Sequence, residues 1–142
     1  MLRIEGLSVS YGEGLAVRDV ALAVPPGAAA CLMGRNGVGK TTLLKSVMGF
    51  LAPRVGEVFV EGRPINVLAT DERARLGIGY VPQGREIFPD LSVLENLYIG
   101  LLARGQPTAI PDEIFSLFPA LRTMLRRKGG DLSGGQKNHI LL

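Results

Sequence analysis

The chain has 142 residues, 46% hydrophobic and 20% charged, and carries a formal net charge of +3. That composition excludes a disordered tail and fits a soluble globular domain with one compact core at most. The longest apolar runs, 28–33 and 97–103, fall short of the roughly 20 residues that cross a bilayer, and the positive excess, clustered only at Arg126, Arg127 and Lys128, is too weak to specify nucleic acid.

The opening MLRIEGLSVSYG has no charged start, apolar middle and cleavage site of a secretory signal, so a cytoplasmic location is expected. Residues 2–10 alternate apolar and polar and predict a strand, followed by a turn at Tyr11-Gly12-Glu13-Gly14 and a second strand over 15–24. Pro25-Pro26-Gly27 is a strong turn signal. The run AAACLM after it is continuously apolar and predicts a central strand buried on both faces. Cys31 lies inside that run. It is read as a small buried residue rather than a reactive thiol, and a lone cysteine fits a reducing compartment.

Residues 41–50 predict a helix with Leu43, Leu44, Val47 and Met48 on one face and Gly49 near its stop. Between the apolar run and this helix stands Gly34-Arg35-Asn36-Gly37-Val38-Gly39-Lys40-Thr41, a full G-x-x-x-x-G-K-S/T phosphate-binding loop in its confirming context. Glycines let the backbone wrap close to a phosphate and aim N–H groups at it, and the helix start adds its positive dipole end. Lys40 supplies a point charge for the β- and γ-phosphates. The Thr41 hydroxyl is the expected Mg²⁺ ligand, and Thr42 belongs to the same nucleotide site. This loop alone leaves kinases, GTPases and ATPases open.

Farther along, 56–61 predicts a short strand ending in a Glu61-Gly62 turn, 71–76 a brief charged helix, and 78–81 another strand. From Ser92 the pattern turns helical. Ser92 with Glu95 three residues on is a capping box ahead of a helix running to Arg104. The linker 105–111, helices over 112–118 and 121–127, and a break at Lys128-Gly129-Gly130 follow. Leu132-Ser133-Gly134-Gly135-Gln136 then offers a capping serine and two small residues that leave backbone N–H groups open to an anion.

The order and spacing of GRNGVGKTT and LSGGQ resemble the ABC-transporter ATPase family, and the resemblance runs along the whole chain. It implies an α/β fold: a P-loop NTPase (ABC ATPase) core with an antiparallel β subdomain and an inserted α-helical subdomain, incomplete at the C-terminus. The implied divisions are a nucleotide-binding core over 1–91, a helical subdomain over 92–131, and the signature with a short tail over 132–142. Tyr11 resembles the aromatic residue that stacks on adenine. Gln83 in YVPQGREIF resembles the Q-loop glutamine near Mg²⁺ and the attacking water, which with Lys40 is the implied catalytic pair. Leu132, Ser133, Gly134, Gly135 and Gln136 would contact the ATP of a partner subunit, in a homo- or heterodimer docked on transmembrane permease subunits and fed by a periplasmic solute-binding protein. ATP and Mg²⁺ are the implied cofactors. The location would be peripheral, on the inner face of the cell membrane.

Within the family, GRNGVGKTTLLK, YVPQGREIFPDLSVLENL and RRKGGDLSGGQ most resemble urea importer subunits, with the branched-chain amino-acid type as runner-up. The family's later landmarks, an apolar strand ending in Asp-Glu, a loop aspartate and a switch histidine, are absent from the sequence. ATP binding with negligible hydrolysis is therefore expected of this chain alone. His139, the only histidine, does not match the switch position and is read as incidental. A soluble ABC protein of translation or DNA repair would carry paired cassettes, long insertions or basic arms, none of which occurs here. A non-hydrolysing nucleotide-binding fragment stays open.

Overall fold

A computed structural model describes residues 1–84, 86–102 and 109–142. The expected helix end at 103–104 and most of the linker, 105–108, lie outside the described residues, as does Arg85. The chain forms two compact units, Met1–Ile78 and Gly79–Leu142.

In the first unit, β1 (Leu2–Tyr11), β2 (Gly14–Val24), β3 (Val55–Val60) and β4 (Arg63–Pro64) form an antiparallel sheet in the order β2-β1-β3-β4. The β1–β2 hairpin closes with Tyr11 opposite Gly14. Ile4, Leu7 and Val9 are all buried, although residues 4 and 7 would point to opposite faces of a regular strand. An irregularity in the pairing of β1 between Ile4 and Leu7 resets the parity, so one face of β1 carries all three into the core.

Helix α1 (Lys40–Val47) lies against this face, where Leu43 and Val47 join Ile4, Leu7, Val9, Val17, Val58 and Ile65 in one apolar cluster. Each such side chain contributes about 1.5–3 kcal/mol through burial. Met48 is buried as expected, but Leu44 is 49% exposed and lines an open apolar groove instead. Helix α2 (Thr70–Arg75) follows; the Glu72 carboxylate accepts from the Ala69 N–H at its start.

Two predicted strands do not form. Residues 28–33 have no strand structure and are exposed, Met33 to 84%, and Cys31 is exposed rather than buried. Residues 78–81 likewise form no strand. An all-apolar strand of the parallel type is stable only when paired along its edges and covered on both faces. Among the described residues the sheet contains neither stretch, so their backbones have no ladder to join.

The second unit holds α3 (Val93–Leu102), α4 (Asp112–Leu117), α5 (Ala120–Met124), a turn of 3-10 helix over Gly129–Asp131, and α6 (Gly134–Leu141). Val93, Leu97, Leu121, Met124 and Leu132 form its core. The predicted capping box is present: Ser92 Oγ accepts from the Glu95 N–H at 3.2 Å and Glu95 Oε2 accepts from the Ser92 N–H at 2.7 Å. The helix predicted over 121–127 stops at Met124 because its next carbonyls turn outward. Leu125 and Arg127 accept from the first-turn N–H groups of Leu94 and Val93, which α3 cannot satisfy internally. His139 stacks on Phe118 with ring centroids 4.9 Å apart, so it is a packing residue of this unit and not an incidental one. Among the described residues, no helix is long and apolar enough to cross a membrane.

Candidate functional site

The phosphate-loop sequence folds as a turn leading directly into α1. Gly39 sits at the N-cap with φ 93°, and a Cβ there would lie 2.5 Å from the Ala16 carbonyl oxygen and 2.9 Å from Val17 Cγ2. Only glycine meets both demands, the left-handed backbone and the close approach of β2. The same hairpin that ends at Tyr11 therefore seats the last glycine of the loop. Tyr11 itself is half-exposed beside the turn.

Lys40, the first residue of α1, bends back over the loop. Its ammonium donates to the carbonyls of Gly34 at 2.7 Å and Arg35 at 2.6 Å. The charge is thus held over the span Gly34, Arg35, Asn36, Gly37 and Val38, whose residues are all exposed. Gly34 and Gly37 both have positive φ, 151° and 81°. Thr41 is exposed on the first turn of α1, whereas Thr42 faces the interior and is buried, which gives Thr42 a packing role beside Leu43. The first turn of α1 carries no acidic residue to compete with an anion at this end.

The other end of α1 is also cationic. Arg73, 2% exposed, donates from Nη1 to the Ser46 and Val47 carbonyls at 2.9 and 2.7 Å, from Nη2 to Asn66 O at 3.0 Å, and from Nε to Leu68 O at 3.0 Å. Burial lowers its pKa from the ordinary arginine value, yet the group stays cationic at any ordinary pH. Its charge faces the negative end of the helix dipole. Sequence reading missed this residue because an arginine on a short charged helix looks like a solvated side chain.

In the second unit, Gln83 is exposed in a turn with Gly84. The signature is better defined. Leu132 is buried in the unit's core, and Ser133 is the N-cap of α6. Ser133 Oγ accepts from the Gln136 N–H at 3.4 Å, while Gln136 Oε1 accepts from the Ser133 N–H at 2.9 Å. Two of the terminal N–H groups are thereby satisfied. Gly135 is exposed, and a Cβ there would meet nothing within 4 Å. The phosphate loop belongs to the first unit, and Gln83 and the signature to the second.

These two elements, a lysine-crowned glycine loop at one helix start and a capped Ser-Gly-Gly turn at another, belong together in one known fold. The chain belongs to the ABC transporter family, whose pattern matches residues 17–142. Its fold is that of the family's ATP-binding domain, a P-loop NTPase fold with an antiparallel sheet and helices. It is 35% identical, over its full length, to the probable branched-chain amino acid transport ATP-binding protein LivF of Archaeoglobus fulgidus, and spans 61% of that protein. It is 34% identical to the molybdate/tungstate import ATP-binding protein WtpC of Thermococcus kodakarensis, again over all of this chain and 43% of the relative. Among solved structures, a dimeric ATP-binding cassette in a post-hydrolysis state bound to ADP and Pi superposes with a TM-score of 0.84 at 25% identity, covering 99% of this chain and 67% of that one. The chain thus spans less than two thirds of these two curated relatives.

Proposed function

We propose that this chain is the ATP-binding part of an ABC importer's ATPase subunit, lying peripherally on the inner face of the cell membrane and coupling nucleotide binding to transmembrane permease subunits. The observation that carries the proposal is the Lys40 ammonium poised on the Gly34 and Arg35 carbonyls at the start of α1. On binding, the ammonium would exchange these carbonyls for the β- and γ-phosphate oxygens, and the loop N–H groups would take the remaining phosphate contacts.

The residues fit a magnesium nucleotide. Thr41 is exposed on the first turn of α1, next in sequence to Lys40, and is the residue that would ligate the ion, with Gln83 as a second ligand. Held by these residues, the ion would supply positive charge that neutralises the phosphates. Gln83 would orient the attacking water, and Tyr11 would stack on adenine. Two copies, or this chain and a similar one, would meet head to tail so that Leu132, Ser133, Gly134, Gly135 and Gln136 of one close over the nucleotide held by the other. The exposed Gly135 supports this reading, because it leaves the α6 start accessible to a phosphate.

Urea is the proposed solute, on the strength of Gln83 and Gly129-Gly130-Asp131 in their sequence contexts. The likeness to LivF favours branched-chain amino acids as a second reading. A periplasmic solute-binding protein would complete either system. Titration with a fluorescent ATP analogue, with and without Mg²⁺, tests nucleotide binding; an unchanged signal up to millimolar nucleotide would sink the proposal. Uptake of labelled urea against labelled leucine, in vesicles carrying the cognate permeases, separates the two solutes.

A further inference from the structure

Asn96 lies on the first turns of α3, 8% exposed, and belongs to neither nucleotide-site motif. Its side chain nevertheless meets one segment at four points. Oδ1 accepts from the Phe88 N–H at 2.9 Å. Nδ2 donates toward the carbonyls of Phe88 at 3.0 Å, Leu91 at 3.3 Å and Ser92 at 2.9 Å. Two N–H groups are shared among three carbonyls, so both donors of the amide are used and its oxygen accepts as well.

The segment that Asn96 holds is itself laced to the turn preceding the signature. Gly129 N–H donates to Leu91 O and Gly130 N–H to Pro89 O, both at 2.8 Å. The approach is close: a Cβ on Gly129 would lie 2.6 Å from Phe88 O, 3.0 Å from Ile87 Cδ1 and 3.3 Å from Asn96 Nδ2. Two residues after this turn, Leu132 enters the core and Ser133 caps α6. On its other side, the held segment begins a few residues after Gln83.

We infer that Asn96 is a positioning residue that ties the segment following Gln83 to the signature turn, so that the two move as one piece. The inference rests on the proposed closure of the signature over a partner's nucleotide. Through this tie, the 88–92 segment and the Gly129–Gly130 turn ahead of Ser133 are joined by backbone hydrogen bonds rather than by a loose loop. The chemistry requires an amide. A carboxylate of the same shape would keep the acceptor for Phe88 N–H but place a negative oxygen against three carbonyls, and an alanine would remove the side-chain partners of Phe88 N–H and Phe88 O while Leu91 O and Ser92 O kept the N–H groups of Gly129 and Asn96.

The test compares the unmodified chain with Asn96→Asp and with Gly130→Ala, a milder wedge whose added Cβ would meet Pro89 O at 3.3 Å. Three quantities are read: amide hydrogen exchange, binding of Mg²⁺-ATP, and Mg²⁺-ATP-dependent self-association by sedimentation. In both variants the amides of Phe88, Gly129, Gly130 and Ser133–Gln136 are expected to exchange at least about tenfold faster. Nucleotide binding should stay within about twofold, while association weakens by about tenfold or more. A role in packing alone predicts that the isosteric Asn96→Asp exchanges and associates like the unmodified chain, and that result overturns the inference. If the unmodified chain binds nucleotide without associating, the head-to-tail reading fails; exchange at 133–136 then decides the tie by itself, with unchanged protection overturning it. Should Asn96→Asp not fold, Asn96→Ser, whose short hydroxyl cannot reach the Phe88 N–H and the three carbonyls together, gives the same decision.

Discussion

Arg73 Nη1 donates to the carbonyl of Val47 at 2.7 Å, so a side chain from α2 closes the C-terminal end of the helix whose first residue is Lys40. The two ends of α1 are thereby fixed by different parts of the sequence: Gly39 against β2 at the start, Arg73 from beyond β4 at the finish. Such bracing suits a helix whose start must hold its geometry when an anion arrives.

Replacing Arg73 by alanine removes four hydrogen bonds from a charged group and strands buried carbonyls. The expected loss is about 3 kcal/mol of stability in the first unit, read as a lower urea midpoint. Arg73→Lys should recover only part of it, because an ammonium cannot span the carbonyls of Ser46, Val47, Asn66 and Leu68 together. Full recovery by lysine would show that charge alone, and not the guanidinium fork, is what the site needs.

Gly39→Ala is expected to cost about 2–4 kcal/mol and to weaken nucleotide binding by tenfold or more, because a Cβ 2.5 Å from Ala16 O forces β2 or the loop to move. Parallel melting and nucleotide titrations check both effects. Gly37→Ala is the useful contrast. Its φ of 81° also disfavours a side chain, but a Cβ there meets nothing within 4 Å, so the stability loss should be smaller.

Lys40→Ala should separate binding from folding. Among the described residues the lysine bonds to two loop carbonyls on exposed residues, so the melting transition should stay within about 0.5 kcal/mol of the unmodified chain. Loss of its charge-assisted contacts to phosphate should weaken ATP binding by about 10- to 100-fold. Equal affinity in the two proteins would remove Lys40 from the site.

Glu95 titrates below the ordinary carboxylate range because the Ser92 hydroxyl, and then the Ser92 N–H, hydrogen-bond its charged form. A folded-state pKa below the unfolded value of about 4.3 means that the cap stabilises α3 fully above that pH. The contribution disappears as pH falls through the lowered folded value. Urea midpoints between pH 6 and pH 2.5 should show Ser92→Ala less stable than the unmodified chain at the upper end, and the gap should narrow with acid. A gap that persists undiminished at the acid end would mean that the Ser92 hydroxyl acts without Glu95.

Much of this structure was readable from short-range patterns. Ser92 with Glu95 announced one helix start and Ser133 another as a capping serine, because a cap is built from residues close in sequence and needs nothing from the rest of the chain; the box that Gln136 completes came from the structure. The glycine loop ahead of α1 and the hairpin turn after Tyr11 were legible for the same reason. What could not be read depends on partners far off in sequence. An apolar run such as 28–33 becomes a strand only if neighbours pair with it, and its composition says nothing of whether they do. Arg73 and Asn96 were invisible because their importance lies in backbone carbonyls, which every residue has and no sequence displays. Of the candidate site, the places of Lys40 at the start of α1 and of Ser133 at the cap of α6 could be named in advance, whereas the packing role of Thr42 had to be seen.

The contact between Gly39 and Ala16 also has a meaning in time. The phosphate loop takes its last turn from a strand laid down earlier in the chain, so its final shape is a tertiary event and not a local one. Until β2 has paired with β1 and brought the Ala16 carbonyl into place, residues 34–39 have no surface to close against. In a refolding experiment, the capacity to capture a nucleotide should therefore arrive with or after the hairpin, and never before it.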